Sequence, residues 1–171
     1  VFFLALISFH STDSSWTHVG HGPTRNLIGV VGAWMSDLSF VLLGYIAFIV
    51  PVLIAAMALM QWKNNDIRAG QSPLWLRMLG LVIFLLMAAS FLSLYCKPFS
   101  VMPAGSGGVT GEVLEKGLIT AINITGATIF LLIGMLCGLT LCLHISWFKI
   151  ADSIGRVVVT AMNTLWQKIP R

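Results

Sequence analysis

The sequence predicts an all-α integral membrane protein: a four-helix bundle whose first span is truncated, followed by a short cytoplasmic amphipathic helix. Composition is the first observation, because 57% of the 171 residues are hydrophobic and only 9% are charged, against roughly 25% charged in soluble domains. The second is that long uncharged apolar stretches alternate with short polar segments. The third is that most Lys and Arg residues lie on one side of that alternation.

The spans follow from the length needed to cross a bilayer, since a hydrocarbon core of about 30 Å takes roughly 20 apolar helical residues. We assign residues 1–149 to a transmembrane domain with spans at 1–9, 39–61, 77–96 and 119–147. Residues 1–9 supply half a span, so we expect this helix to start before the first residue. A signal peptide is the alternative, but the segment lacks a basic start and an A-x-A-like cleavage site.

The basic residues predict the orientation. Seven of the ten Lys and Arg residues lie in the 62–76 connection, at the adjoining start of the third span or after the fourth span, and three lie on the other side. Cytoplasmic loops carry the excess of positive charge. We therefore expect loops 10–37 and 97–117 to be external, loop 62–76 to be cytoplasmic and both termini to be cytoplasmic, as in a multi-pass membrane protein.

Residues 150–171 predict a cytoplasmic amphipathic helix and the start of a linker. Apolar residues recur there with a helical period, and polar residues occupy the other faces. Such a helix lies along the membrane surface. A plain continuation of the fourth span into the cytosol is the alternative.

Small residues mark two helix faces. Gly134 and Gly138 form a G-x-x-x-G pair in the fourth span, and Gly44 and Pro51 lie on one face of the second. Such faces allow close helix packing in membranes, and Pro51 predicts a kink because it removes a backbone donor. The faces serve either packing within one chain or contacts between protomers, and both interpretations stay open.

Motifs for chemistry are weak. The glycine cluster at residues 105–111 is not followed by the Lys of a nucleotide-binding loop, so a turn before a short helix is expected. His18 and His21 offer half a zinc site at most. No Asp, Glu, Lys or Arg lies in the middle of a span, which argues against a proton-coupled transporter. We predict no enzyme activity, no cofactor and no metal in this chain.

One segment carries a family pattern: S-F-x3-D-S-S-W, then nine residues, then N-L-I-G-V-V-G-A-W-M-S-D, with a Gly and a Pro in the following span. It resembles the N-terminal membrane domain of the FtsK/SpoIIIE family of bacterial DNA translocases. The matching positions are Ser8, Asp13, Ser15, Trp16, Asn26, Gly29, Gly32, Ala33, Asp37, Gly44 and Pro51. Gly107, Gly108, Val109 and Gly111 are similar to the turn before the family's last span, and Ser146-Trp147 to the pair at its exit. Ser14 departs from the family's usual Pro.

The loop motif also has a physical interpretation. Asp13 and Ser15 suit a side-chain-stabilised turn, and Trp16 suits the membrane interface. Gly29 and Gly32 allow a tight bend. Asp37, placed just before the expected second span, suits a helix cap.

The resemblance implies a function. It implies a membrane anchor that localises a DNA translocase to the division septum and so couples chromosome segregation to cell division. ATP, Mg²⁺ and DNA would be bound by a motor outside this chain, which binds no nucleic acid itself. Membrane lipid, division-septum proteins and other protomers, six in the full-length protein, are the expected partners. The alternative is a self-contained small multispan channel or transporter subunit.

Overall fold

A computed structural model describes residues 1–19, 22–63, 73–96 and 104–143, together with positions 152, 155, 156, 159, 160 and 162. Every regular element in these ranges is helical, which confirms the predicted all-α class. The elements are α1 (Phe2–Ile7), α2 (Gly29–Leu43), a 3₁₀ helix (Gly44–Phe48), α3 (Ile49–Lys63), α4 (Leu74–Tyr95) and α5 (Gly108–Leu143).

Three helical stretches of the described residues are long and apolar enough to cross a membrane: Gly29–Met60, Leu74–Tyr95 and Gly108–Leu143. The six residues of α1 are too few. Two of the stretches begin well before the spans expected at 39–61 and 119–147. The length of an apolar stretch indicates which residues lie in the hydrocarbon core. The helix itself can extend further, as long as its backbone hydrogen bonds form and its buried face packs.

The second membrane helix is broken at Gly44, where φ is 57° and ψ is −136°. These angles leave the helical region and are open mainly to glycine. The break lies at Gly44, seven residues before Pro51, and the kink predicted at Pro51 itself stays a prediction. Pro51 is the third residue of α3, inside the first turn of a helix, where a backbone N–H would have no partner within that helix.

Close glycine contacts join α4 to α5. A Cβ atom on Gly138 would lie 2.6 Å from the Phe84 backbone nitrogen, and one on Gly80 would lie 2.5 Å from that of Cys142. Larger residues would therefore force the two backbones apart. The main core lies along this seam and extends to α3: its buried residues are Ile46, Leu53, Met57, Leu81, Phe84, Leu85, Ala88, Ala89 and Cys142.

A second break divides α5 at Ile122 and Asn123, and Asn123 has φ 61° and ψ 168°. The two arms run in opposite directions along α4. In residues 108–121, Gly111 lies against Ala89 and the Glu115 carboxylate accepts a hydrogen bond from Ser93 Oγ. In residues 124–143 the order is reversed: Thr128 binds Tyr95, Gly134 lies against Met87, and Gly138 lies against Phe84.

The first arm therefore starts inside the bundle and climbs to the end of α4, and the second arm crosses back beside it. The turn that precedes the first arm reaches Ala89, six residues before Tyr95. This is about 9 Å along the helix axis.

A smaller apolar cluster holds α1. It contains Leu6, Phe40 and Ala47, and the Phe40 ring contacts the rings of Phe9 and Phe48 at centroid distances of 5.0 and 5.2 Å. α1 thus packs across the junction of α2 and the 3₁₀ helix.

Most of the amphipathic helix expected at 150–171 lies outside the described residues. The six described positions there are all helical, and Arg156 Nη2 lies 3.0 Å from Asp152 Oδ2, one turn away and exposed. Most of the loop expected at 62–76, and Ser146, Trp147 and His21, also lie outside the described residues.

Candidate functional site

Asp13 organises the loop between α1 and α2. Its side chain is buried, and its two carboxylate oxygens accept hydrogen bonds from the backbone N–H groups of Arg25 (2.9 Å) and Asn26 (2.8 Å). A buried carboxylate needs such donors, because desolvation otherwise disfavours the charged form. Asp13 therefore joins the two ends of the loop, which lie twelve to thirteen residues apart along the chain.

Asn26 joins that loop to the first helix. Its Nδ2 donates to the Ala5 carbonyl oxygen (2.9 Å), and its Oδ1 accepts from the Ile28 N–H (3.0 Å). A Cβ atom at Gly32 would overlap Asn26 Oδ1, so the glycine makes room for the amide. Nearby, Ser8 Oγ donates to the Leu4 carbonyl oxygen and accepts from the Leu27 N–H, at 2.7 and 3.1 Å.

Asp37 holds the middle of the same loop. It is fully buried inside α2 and accepts hydrogen bonds from the Thr17 N–H (2.9 Å) and from Thr17 Oγ1 (2.8 and 2.9 Å). The predicted capping role is wrong, because α2 begins at Gly29 and passes straight through this position. We call Ser8, Asp13, Thr17, Asn26 and Asp37 the loop network.

The other motif residues shape the surface of this loop. The turn at Ser15 is closed by its backbone N–H, which donates to the His18 carbonyl oxygen at 2.8 Å, while the Asp13 side chain reaches Arg25 and Asn26 instead. Trp16 is 64% exposed. Gly29 starts α2 with φ 72°.

The two described histidines of this loop, His10 and His18, contact close sequence neighbours. His10 Nδ1 lies 3.2 Å from the Ser8 carbonyl oxygen, and His18 Nδ1 lies 2.7 Å from Thr17 Oγ1. The described residues hold no group of three His, Cys, Asp or Glu side chains that could bind a metal ion. The polar side chains of the loop network bind mainly backbone groups. Their role is therefore to hold the loop in one conformation.

The glycine cluster forms a second feature, which sequence reasoning missed. The turn at residues 104–108 enters the break in the second membrane helix: the Tyr45 N–H donates to the Ser106 carbonyl oxygen at 2.9 Å, and Thr110 Oγ1 donates to the Leu42 carbonyl oxygen at 2.6 Å. We call these four residues together with Gly44 and Gly108 the glycine lock.

The glycine lock requires its small residues. A Cβ atom at Gly44 would overlap the Ser106 carbonyl, and one at Gly108 would overlap the Leu42 carbonyl. Ser106 Oγ in turn lies within hydrogen-bonding distance of the Leu92 and Cys96 carbonyl oxygens, at 3.1 and 2.7 Å, and its single O–H donates to this pair. The turn thus bridges α2, the 3₁₀ helix and the end of α4. The sequence shows a glycine within an apolar span and a glycine cluster about 60 residues later. No local pattern indicates that the two are in contact.

The faces predicted for helix packing serve the inside of the chain. Gly138 is buried against α4, and a Cβ atom at Gly134 would lie 2.8 Å from Met87 Cγ. The interpretation that protomers meet through this face is wrong, because α4 already covers it. Gly44 is buried and Pro51 is half-buried.

Comparison with known proteins identifies the family. The model of the 4TM region of DNA translocase FtsK/SpoIIIE matches residues 1–155. The chain belongs to this family. The resemblance seen in the loop motif is therefore confirmed, and the matched region of FtsK/SpoIIIE proteins is the membrane region.

Curated relatives agree with this. DNA translocase FtsK of Pseudomonas syringae pv. tomato is 32% identical over 161 residues, which cover 91% of this chain and 20% of the relative. FtsK of Pseudomonas aeruginosa is 28% identical over 162 residues, with the same shares. FtsK of Shewanella oneidensis is 28% identical over 171 residues, or 98% of this chain and 18% of the relative. The chain thus spans about a fifth of the FtsK proteins it matches. No solved structure matches it significantly.

Proposed function

We propose that this chain is the membrane anchor that holds an FtsK-type DNA translocase at the division septum of a bacterial inner membrane. The observation that carries the proposal is the family match over residues 1–155. ATP, Mg²⁺ and DNA are bound by the motor of the full-length protein, and this chain holds that motor at the membrane. In this way it couples chromosome segregation to cell division.

The proposed orientation puts the loop network outside the cell and the connection between α3 and α4 in the cytoplasm. The uneven distribution of Lys and Arg supports it. Exposed tryptophans support the membrane boundaries: Trp62 and Trp75 lie on α3 and α4 beside that connection, and amphipathic rings favour the interface. Both termini then face the cytoplasm, where DNA is.

The loop network suits contact with division-septum proteins. Its buried carboxylates and amide hold a polar loop in one shape, and Trp16 and Val19 are exposed on that loop. Rigid presentation lowers the entropy lost on binding. Self-association, hexameric in the full-length protein, is expected to use a surface other than the Gly134–Gly138 face.

The broken helices do not favour the channel or transporter alternative. Breaks that face each other within a membrane often leave backbone groups to bind ions or substrate. Here the groups of the break bind each other, because the Tyr45 N–H meets the Ser106 carbonyl oxygen and the Leu42 carbonyl oxygen meets Thr110 Oγ1. No buried side-chain polar atom in the described residues lacks a partner.

Domain exchange tests the proposal. The full-length protein, tagged with a fluorescent protein at its C terminus, is compared in dividing cells with a variant whose residues 1–149 are replaced by an unrelated four-span domain. We expect a septal band for the native protein and even membrane fluorescence for the exchange variant. Equal septal bands would show that this chain supplies attachment without localisation.

Cysteine labelling tests the orientation separately. In a variant without native cysteines, Ser14→Cys should react with a membrane-impermeant maleimide in intact cells, and Trp62→Cys should react only after permeabilisation. The reverse pattern would overturn the orientation and leave the anchoring role untouched.

A further inference from the structure

α2 has an exposed apolar face on one side and a buried face on the other. The buried side recurs at helical spacing and consists of Gly32, Ala33, Ser36, Asp37 and Phe40. The exposed side consists of Val30, Val31, Trp34, Met35 and Leu38, each between 36% and 67% exposed. We call these five residues the α2 apolar face. The only charged residue of α2, Asp37, is turned away from it.

The helix lengths show that α2 is not needed to cross the bilayer. The 3₁₀ helix Gly44–Phe48 and α3 Ile49–Lys63 together extend about 32 Å at the usual rises of about 2.0 and 1.5 Å per residue. A hydrocarbon core is about 30 Å thick. α2 adds about 22 Å. Because the helix is broken at Gly44, the axis of α2 differs from that of α3.

That surplus helix either stands in water or lies at the membrane surface. Its surroundings decide between these positions. The loop that carries the loop network and α1 pack on its buried side, so that side faces protein and not lipid or water. The opposite side carries only apolar residues and Trp34, whose ring suits the interface. Its surface continues through Leu42 into the exposed Ile49 and Val52 of the membrane-crossing part.

We infer that α2 lies obliquely along the membrane interface, with the α2 apolar face bound to the acyl-chain boundary of the leaflet at the loop end and the loop network above it. A helix whose apolar face is exposed while its opposite face is covered by the rest of the protein binds a lipid surface through the exposed face. The break at Gly44 then marks where the chain turns from the interface into the crossing. This inference rests on the membrane embedding of the domain and not on septal localisation.

Spin labels at three valines test it. Val19→Cys, Val31→Cys and Val82→Cys are made in the full chain without native cysteines, labelled with a nitroxide and placed in nanodiscs of phosphatidylethanolamine and phosphatidylglycerol. Val19 lies in the polar loop and is 84% exposed; Val82 lies near the middle of α4 and is 51% exposed. They calibrate water and hydrocarbon. Val31 is 67% exposed on the α2 apolar face.

We expect the Val31 label to be at least about fivefold less accessible than the Val19 label to a polar nickel relaxant, because polar reagents are excluded from hydrocarbon. Its oxygen accessibility should lie between those of Val19 and Val82. Nickel accessibility equal to that at Val19 would overturn the inference in favour of a helix in water. Low accessibility to both reagents would overturn it in favour of a protein partner. Met35→Cys, on the same face, serves as the probe if the Val31 variant does not fold.

Discussion

Two membrane helices are broken within the described part of the chain, and the two breaks are held in different ways. At Gly44 the break is buried, and the turn at residues 104–108 fills it through backbone and side-chain hydrogen bonds. At Asn123 the break is exposed, and Asn123 Oδ1 itself accepts the N–H of Ile124 at 2.6 Å.

The contrast shows what each break does for the fold. The Gly44 break joins segments about 60 residues apart in sequence, as the contact of Thr110 with Leu42 spans 68 positions, so it is a tertiary feature. The Asn123 break is a local turn that reverses α5. A tertiary break should fail when its partner is changed, whereas a local one should depend on its own residue alone.

The largest expected effect is that of Gly44→Ala. The substitution adds a Cβ atom where the Ser106 carbonyl lies and places an L-residue at positive φ, so we expect a loss of about 3 kcal/mol or more in unfolding free energy. Thermal unfolding of the domain in detergent, followed by scanning fluorimetry, measures it.

Gly117→Ala is the matched control. A Cβ atom at Gly117 meets nothing within 4 Å, and the residue lies within α5, where alanine is favoured by up to about 1 kcal/mol. We expect an unchanged or raised melting temperature. Equal losses in both variants would contradict a special role for the Gly44 break.

Thr110→Val tests the hydrogen bond of the glycine lock. Valine keeps the shape of threonine but removes the donor to the Leu42 carbonyl oxygen, so we expect a loss of about 1–2 kcal/mol. Thr120→Val is the control, because Thr120 Oγ1 donates only along its own exposed helix, to the Lys116 carbonyl oxygen at 2.8 Å. The same fluorimetric assay should show a melting shift for the first variant and none for the second; similar shifts would sink the claim.

The smallest effect is expected at Asn123. Its φ and ψ lie in a region used almost only by glycine, so Asn123→Gly should leave stability within about 1 kcal/mol of the native value or improve it. Asn123→Ala keeps the strain and loses the side-chain acceptor, and should cost about 1 kcal/mol. If glycine at this position lowered the melting temperature as much as Gly44→Ala, the break would have to be a tertiary feature too.

The sequence predicted what depends on composition and motif. Hydrophobicity and the lengths of apolar stretches predicted the helical membrane class, and the residues around Asp13, Asn26 and Gly32 predicted the family. These features depend on residues close together in sequence or on the preference of side chains for water or lipid. Both can be read from one sequence. Gly44 was predicted only as part of a packing face, and its positive φ was not predicted.

What the sequence could not predict depends on partners distant along the chain. Pro51 was expected to kink its helix, and the break that the structure shows lies at Gly44, where the turn at residues 104–108 enters. Asp37 was expected to cap a helix, yet Thr17 folds back over it. The Gly134–Gly138 pair left two partners open, and only the placement of α4 decides between them. In each case local pattern allowed several contacts, and tertiary packing selected one.

Thiol cross-linking between residues 42 and 110 tests the glycine lock most directly. In a chain without native cysteines, reconstituted in nanodiscs, Leu42→Cys is paired either with Thr110→Cys or with Thr120→Cys, which lies about 15 Å further along the same helical arm. A short bifunctional thiol reagent should join residues 42 and 110 in high yield and leave 42 and 120 unjoined. Absence of the 42–110 product, or equal yields for both pairs, would contradict the account.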